Sequence, residues 1–179
     1  MSGTRYAGSY YWMNPFVITL RTHVYALRHL FYSFIALGIL LAVTGNYALP
    51  VGFILLGMVP YFGPGLYMHG EYYLRNRHTT VAAFEDRLEV TQGGAMVVLP
   101  YREMEAVELH AAGATYLQID WENYAFQSYH YLKIQHQGQT HLLTSLLANR
   151  PLEQAFSHLL AATAGRYTRH KRFMASSLD

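Results

Sequence analysis

Two histidines of this chain are spaced so that they could hold a cofactor. The sequence contains ten histidines, and His29 and His69 stand near the two ends of one long uncharged run. A turn near the middle of that run would bring both imidazoles to a similar depth, and neutral imidazole is a usual ligand of haem iron and of metals. One hypothesis is therefore a haem or pigment site. The simpler interpretation is two polar helix-end residues, because Arg28 and Glu71 stand beside them.

The remaining chemical residue types show no catalytic pattern. There is no cysteine, no glycine-rich phosphate loop, no nucleophile elbow and no zinc-binding spacing. The other histidines are interpreted as solvated residues on strand faces: His110, His130, His136, His141 and His158. The neighbouring carboxylates are interpreted in the same way: Glu85 and Asp86; Glu103, Glu105 and Glu108; Asp120 and Glu122. The sequence predicts no enzyme, no catalytic residue, no metal and no cofactor.

The uncharged run from His29 to Gly70 organises the chain. A membrane span needs about 20 predominantly apolar residues, so the run has room for two. A turn signal at residues 44–50 divides it, which predicts a transmembrane helical hairpin over residues 23–77 with spans at about 30–45 and 50–68. Residues 60–65 contain two prolines and two glycines, which predict a kink or break in the second span.

Basic residues on both sides of the hairpin predict its orientation. Arg21 and Arg28 precede the first span, Arg75 and Arg77 follow the second, and the connecting loop has no charge. Positively charged residues flank spans on the cytoplasmic side. The sequence therefore predicts a multi-pass membrane protein with both termini in the cytoplasm.

The segments around the hairpin show strand periodicity. Residues 1–22 form an N-terminal segment with a possible strand at 16–20, which also fits a helix, and Thr22 is expected to cap the following helix. From Thr79 onward, short alternating runs predict seven strands: 79–84, 87–92, 95–100, 106–111, 115–120, 129–136 and 139–144. Pro151 begins an amphipathic helix that Gly165 would end. The expectation is an α+β protein in which residues 78–165 form a bent seven-strand barrel capped by this helix.

Two short signatures in this region carry a resemblance. Phe84-Glu85-Asp86 stands at a turn, and Pro100-Tyr101-Arg102-Glu103 follows a strand. With the two preceding spans and the terminal helix, this order resembles bacterial membrane-anchored PH-like proteins of the YcxB-like kind. The resemblance covers roughly residues 16–163. It implies a PH-like domain on the cytoplasmic side of a bacterial inner membrane, with no catalytic motif to carry over.

Charge indicates which partners to expect. Residues 79–165 hold nine acidic residues and only four basic ones, which argues against nucleic acid. A basic tail, residues 166–179, contains four candidates for contact with lipid headgroups: Arg166, Arg169, Lys171 and Arg172. The alternative is that this tail is only solvated.

The expected function follows from the lack of catalytic chemistry and from surplus contact surface. Sixteen tyrosines, nine phenylalanines and two tryptophans are more aromatic residues than a small barrel can bury. Gly38, Gly45, Gly52 and Gly57 would give the helices small faces for packing. We therefore expect a non-catalytic, membrane-anchored interaction module, an accessory or scaffold subunit that contacts lipid and either an integral membrane protein or a second copy. The alternative is a cofactor-carrying subunit with His29 and His69 as ligands.

Overall fold

Two long helices, two short helices and eight strands are the main elements of the described part of the chain. The computed structural model describes residues 15–44, 51–112, 128–172 and 175–176. A short strand, β1 (Phe16–Val17), precedes the helices α1 (Leu20–Thr44) and α2 (Val51–Asn76). The later strands are β2 (Thr79–Ala83), β3 (Arg87–Gln92), β4 (Ala95–Pro100), β5 (Ala106–Ala112), β6 (His130–His136), β7 (Gln139–Thr144) and β8 (Tyr167–Arg172). Between β7 and β8 lie two short helices, α3 (Leu152–Ala155) and α4 (Ser157–Ala162).

The strands form two four-stranded sheets. The first sheet has the order β1-β2-β3-β4, and all its pairs are antiparallel. The second has the order β7-β6-β5-β8, in which β8 runs parallel to β5. Tight turns join β3 to β4 and β6 to β7, and the latter uses Gln137 and Gly138 at φ 51 and 72. Two consecutive positive φ values match the right-handed twist of the strands that they connect.

One hydrophobic core lies between the two sheets. Alternate residues of β3 and β5 point into it, including Leu88, Val90, Val107 and Leu109, as the two-residue period of a strand requires. The helices α3 and α4, with the residue between them, contribute Leu152, Ala155, Phe156 and Leu159 to the same core. The intervening residues of β5, Glu108 and His110, therefore point to the opposite face of the second sheet.

A second, smaller cluster joins the helix pair to that opposite face. It contains Ala26 of α1, Met68 and Tyr72 of α2, Tyr131 of β6, and Tyr129 just before that strand. Asn76, at the end of α2, is fully buried: its Oδ1 accepts from the Thr144 amide at 2.9 Å and its Nδ2 donates to the Leu142 carbonyl at 3.1 Å. These bonds satisfy backbone groups of β7 and attach the helix pair to the sheet.

The start of α1 differs in detail from the prediction. Thr19 and Thr22 bond reciprocally: the Thr22 amide donates to Thr19 Oγ1 at 3.3 Å, and the Thr19 amide donates to Thr22 Oγ1 at 3.0 Å. This is the geometry of a capping box. Thr19 is thus the cap, and Thr22 lies within the first turn. The strand before it is limited to Phe16 and Val17, because only these residues pair with β2.

The predicted transmembrane hairpin and inner-membrane location are wrong. In the part of the chain that the structure describes, no helix is both long enough and apolar enough to cross a membrane. The prediction used the length of the uncharged run, which has room for two spans of about 20 residues each. Both helices also extend into charged sequence, with Arg21 and Arg28 in α1 and Glu71 and Arg75 in α2. Of the predicted kink or break, the break is absent, since α2 continues through residues 60–65.

The predicted seven-strand PH-like barrel is also wrong. The strands divide into two separate four-stranded sheets, and each sheet gains a strand from far along the chain. β1 joins the first sheet from before the helix pair, and β8 joins the second from the segment predicted to be a basic tail. The expected strand at 115–120 lies outside the described residues. Long-range pairing of this kind leaves no local sequence signal, which is why strand counting did not predict it.

Candidate functional site

The pairing of β5 with β6 and β8 places four ionisable side chains on one face of the second sheet. Glu108 and His110 share a face of β5 because they are two residues apart. The strand register sets Lys133 of β6 opposite Glu108, and His170 of β8 opposite His110. We call these four residues the β5–β8 cluster.

The distances within the β5–β8 cluster are short. Glu108 Oε2 lies 3.0 Å from His110 Nε2, 3.6 Å from Lys133 Nζ and 4.0 Å from His170 Nε2. Candidate ligand atoms of Glu108, His110 and His170 all lie within 4.8 Å of one another. The His110 side chain is only 4% exposed, whereas His170 is 47% exposed. One imidazole is therefore held in place by its surroundings, and the other has room to turn.

Ring stacking organises the same residues. The His110 ring lies between Tyr131, at 4.5 Å between centroids and 4° between planes, and His170, at 4.8 Å and 19°. Thr168 Oγ1 lies 3.3 Å from His170 Nε2. The lone pair of an imidazole nitrogen lies in the ring plane, so two stacked rings direct their lone pairs side by side. Joint ligation of one ion requires the His170 ring to rotate.

The electrostatics of this cluster favour an anionic carboxylate. The hydrogen bond from His110 lowers the pKa of the Glu108 carboxyl, partial burial opposes that effect, and the charge of Lys133 lowers the pKa further. Glu108 therefore remains ionised at neutral pH, surrounded by nitrogen atoms. A carboxylate next to two imidazoles can accept protons or bind a cation.

A second group of imidazoles lies at the base of the helix pair. His23 Nδ1 of α1 is 2.8 Å from His69 Nε2 of α2, and His69 Nδ1 is 2.9 Å from the hydroxyl of Tyr129. We call these three residues the helix-base cluster. Burial lowers the pKa of His69, and the nearby His23 lowers it further. Burial also raises the pKa of Tyr129, which keeps its hydroxyl neutral.

A row of aromatic rings joins the two clusters. Tyr72 of α2 contacts Tyr129 edge to face at 5.4 Å between centroids and Tyr131 at 6.5 Å. Its hydroxyl donates to the carbonyl of Ala175 at 2.5 Å. Tyr72 and Tyr129 are fully buried, so this row is a packed part of the smaller hydrophobic cluster.

His69 contacts His23 and Tyr129, whereas the sequence predicted His29 as its partner. His69 is paired with His23, and both of its ring nitrogens lie within hydrogen-bonding distance of a partner. An axial ligand of haem needs a free ring nitrogen, so this arrangement does not favour the haem or pigment hypothesis. The backbone of His29 lies in α1, but its side chain lies outside what the structure describes.

The basic residues predicted to contact lipid lie at and within β8. Arg166 donates to the backbone carbonyls of Tyr101 at 3.0 Å and Arg102 at 2.9 Å, and also to that of Met104. Arg169 forms an ion pair with Glu153 at 3.4 Å. The side chains of Lys171 and Arg172 lie outside the described part. Two of the four candidates thus have partners within the chain.

The arginines predicted to flank a membrane lie on the helices or just after them. Arg21 is exposed in the first turn of α1, and Arg28 covers the ring of Tyr25 at 4.0 Å. Arg75 is in the last turn of α2, and Arg77 follows it, exposed.

The outer faces of α1 and α2 carry exposed apolar side chains. Among the described side chains, all but two of the large apolar residues that are exposed lie on α1 and α2. The two exceptions, Met96 and Val98, lie on β4. On α1, Phe31, Ile35, Ile39 and Val43 follow a spacing of four residues and are 49%, 59%, 60% and 80% exposed. Residues spaced in this way form one continuous ridge.

Sequence reasoning missed the β5–β8 cluster for two reasons. It treated His110 as solvated, although that residue is buried, and it placed His170 in a tail, although that residue lies in a strand. A signal was present in Glu108-x-His110, since two residues of separation place both side chains on one face of a strand.

A scan against protein-family models finds no match, and searches of curated proteins and of solved structures find none either. The resemblance to PH-like proteins stays a prediction.

Proposed function

We propose that this protein is a non-catalytic interaction module whose helix pair binds a second copy of the same chain. The observation that carries this proposal is the exposed apolar ridge on α1, together with Val59, Leu66 and Leu74 on α2. Burying one such side chain contributes about 1.5–3 kcal/mol. Exposed apolar patches of this kind mark sites of association.

The charge distribution favours a second copy over a charged partner. The sequence carries no charged residue between His29 and Gly70. A partner with charges would have to desolvate them against this surface without gaining an ion pair. A second copy offers the same uncharged surface, and a two-fold axis pairs each ridge with its equivalent. The stack of Phe34 on Phe62, at 5.0 Å between centroids, joins the two helices into one docking element.

Sedimentation velocity of the full-length protein tests this proposal. We expect a discrete dimer, and the double variant Ile35→Glu with Ile39→Glu should weaken self-association at least about tenfold, because charges would enter an apolar interface. The matched control is Met96→Glu with Val98→Glu, which places the same charges on the exposed side chains of β4. A wild-type protein that stays monomeric at high concentration, or that forms only polydisperse aggregates, would contradict the proposal.

A further inference from the structure

We propose that Glu108, His110 and His170 form a binding site for a divalent transition-metal ion. This site is separate from the proposed docking surface, because it lies on strands β5 and β8. The three residues come from two strands whose parallel pairing sets His110 beside His170. The backbone that carries the ligands is therefore held by a sheet and does not need to fold around the ion.

The set of donor atoms determines the class of metal. Two imidazoles and one carboxylate suit zinc, iron, cobalt, nickel or copper, whereas calcium and magnesium prefer oxygen ligands alone. Three protein ligands leave further coordination positions for water. The helix-base cluster also has two imidazoles, but within the described part of the chain neither ring contacts a carboxylate.

The distances are close to those that a metal needs. Two ligands that each bind one ion at about 2.0–2.1 Å cannot be more than about 4.2 Å apart. The Glu108 oxygen meets this limit with both imidazoles, at 3.0 Å and 4.0 Å. The stacked rings must turn so that their nitrogens converge, and the half-exposed His170 can do so by exchanging its contact with Thr168 for the ion.

Lys133 competes with a metal for the same carboxylate. Its ammonium lies 3.6 Å from Glu108 Oε2, and a bound cation would have to displace it. Because like charges repel, removal of this ammonium should strengthen metal binding. A purely structural role of Glu108, His110 and His170 predicts no such gain, so Lys133 provides a sharp test.

Calorimetric titration of the chelator-treated, full-length protein with Zn²⁺ tests the site, with Co²⁺ absorption as a second readout. We expect one site per chain, and the variants Glu108→Gln and His170→Ala should each weaken binding at least about tenfold, since even supporting residues of metal sites are worth about 10–100-fold. Lys133→Met should tighten binding. The matched control is His158→Ala, which removes an exposed histidine of α4 that lies outside the cluster.

Circular dichroism establishes that each variant is folded before titration. His110→Ala is avoided because that ring is buried and stacked. The proposal is overturned if the wild-type protein does not bind either ion. It is equally overturned if Glu108→Gln and His170→Ala bind within a factor of about ten of wild type, or if His158→Ala weakens binding as much as they do.

Discussion

The helix-base cluster and the β5–β8 cluster contain similar side chains but differ in charge. Each has two imidazoles at short distance and a tyrosine ring in contact, Tyr129 in the first and Tyr131 in the second. Only the second includes a carboxylate, Glu108, with Lys133 beside it. In the helix-base cluster, burial disfavours the protonated form of His69, and the neighbouring His23 adds to this effect. In the β5–β8 cluster, the carboxylate of Glu108 attracts cations.

The two clusters also differ in what they hold together. The helix-base cluster connects α1, α2 and the residue before β6 through hydrogen bonds of 2.8 Å and 2.9 Å. The β5–β8 cluster lies across strands that the sheet already pairs. We infer that the first cluster contributes mainly to stability and that the second is available for a ligand.

The largest expected effect is on stability, at Tyr129. Tyr129→Ala removes a fully buried ring and the hydrogen-bond partner of His69, and it should lower the free energy of unfolding by about 3–5 kcal/mol. Urea denaturation measures this loss. The matched control, Tyr129→Phe, removes only the hydroxyl and should cost about 1 kcal/mol. An alanine variant as stable as the phenylalanine variant would show that the ring does not hold the helices to the sheet.

The next effect separates the two clusters by their response to zinc. At a free Zn²⁺ concentration one hundred times the dissociation constant, binding should raise the free energy of unfolding by about 2.7 kcal/mol. His69→Ala should keep this increment, whereas His170→Ala should lose it. The measurement is urea denaturation with and without Zn²⁺. If His69→Ala lost the increment and His170→Ala kept it, the assignment of roles to the two clusters would be reversed.

The smallest effect is the pH dependence that His69 contributes. Its pKa in the folded protein lies below the ordinary value of 6.5, because of burial and then His23. The unfolded chain therefore binds more protons than the folded chain as pH falls through 6.5, and stability should decrease until the folded pKa is passed. His130 and His141 also have lowered pKa values and add to this decrease.

The difference between wild type and His69→Gln isolates the contribution of His69. Denaturation curves at pH 7.5 and pH 5.5 should show a smaller loss of stability in the variant, and titration of the imidazole by nuclear magnetic resonance should give a midpoint below 6.5 for His69. An equal loss of stability in both proteins, or a midpoint above 6.5, would contradict the proposed environment of this ring.

Part of the candidate site could have been predicted from local periodicity, and part could not. The alternation in β5 is enough to place Glu108 and His110 on one face. The run Tyr167–Arg172 carries mostly basic side chains, so hydropathy indicates a solvated tail rather than a strand. Its pairing with β5 depends on the helices α3 and α4, which return the chain to the edge of the second sheet. His170 therefore could not be matched to His110 from the sequence.

For the helix pair, the sequence indicates the secondary structure but not the packing. The uncharged run correctly indicates long helices in this region, but absence of charge does not predict what surrounds them. Likewise, the spacing of His29 and His69 says only that both lie on helices. The choice of His23 as the partner of His69 depends on how α1 and α2 cross, which is a property of packing.

The sequence by itself determined the alternation of the strands, the turns between them and the helical character of the uncharged run, because these depend on neighbours within a few residues. Only the tertiary structure decided that β1 and β8 complete two sheets, that His110 is buried, and that Glu108, Lys133 and His170 meet around it. The physical reason is distance along the chain. Residues far apart in sequence are brought together by the burial of apolar side chains, and no local pattern specifies which polar groups will then be neighbours.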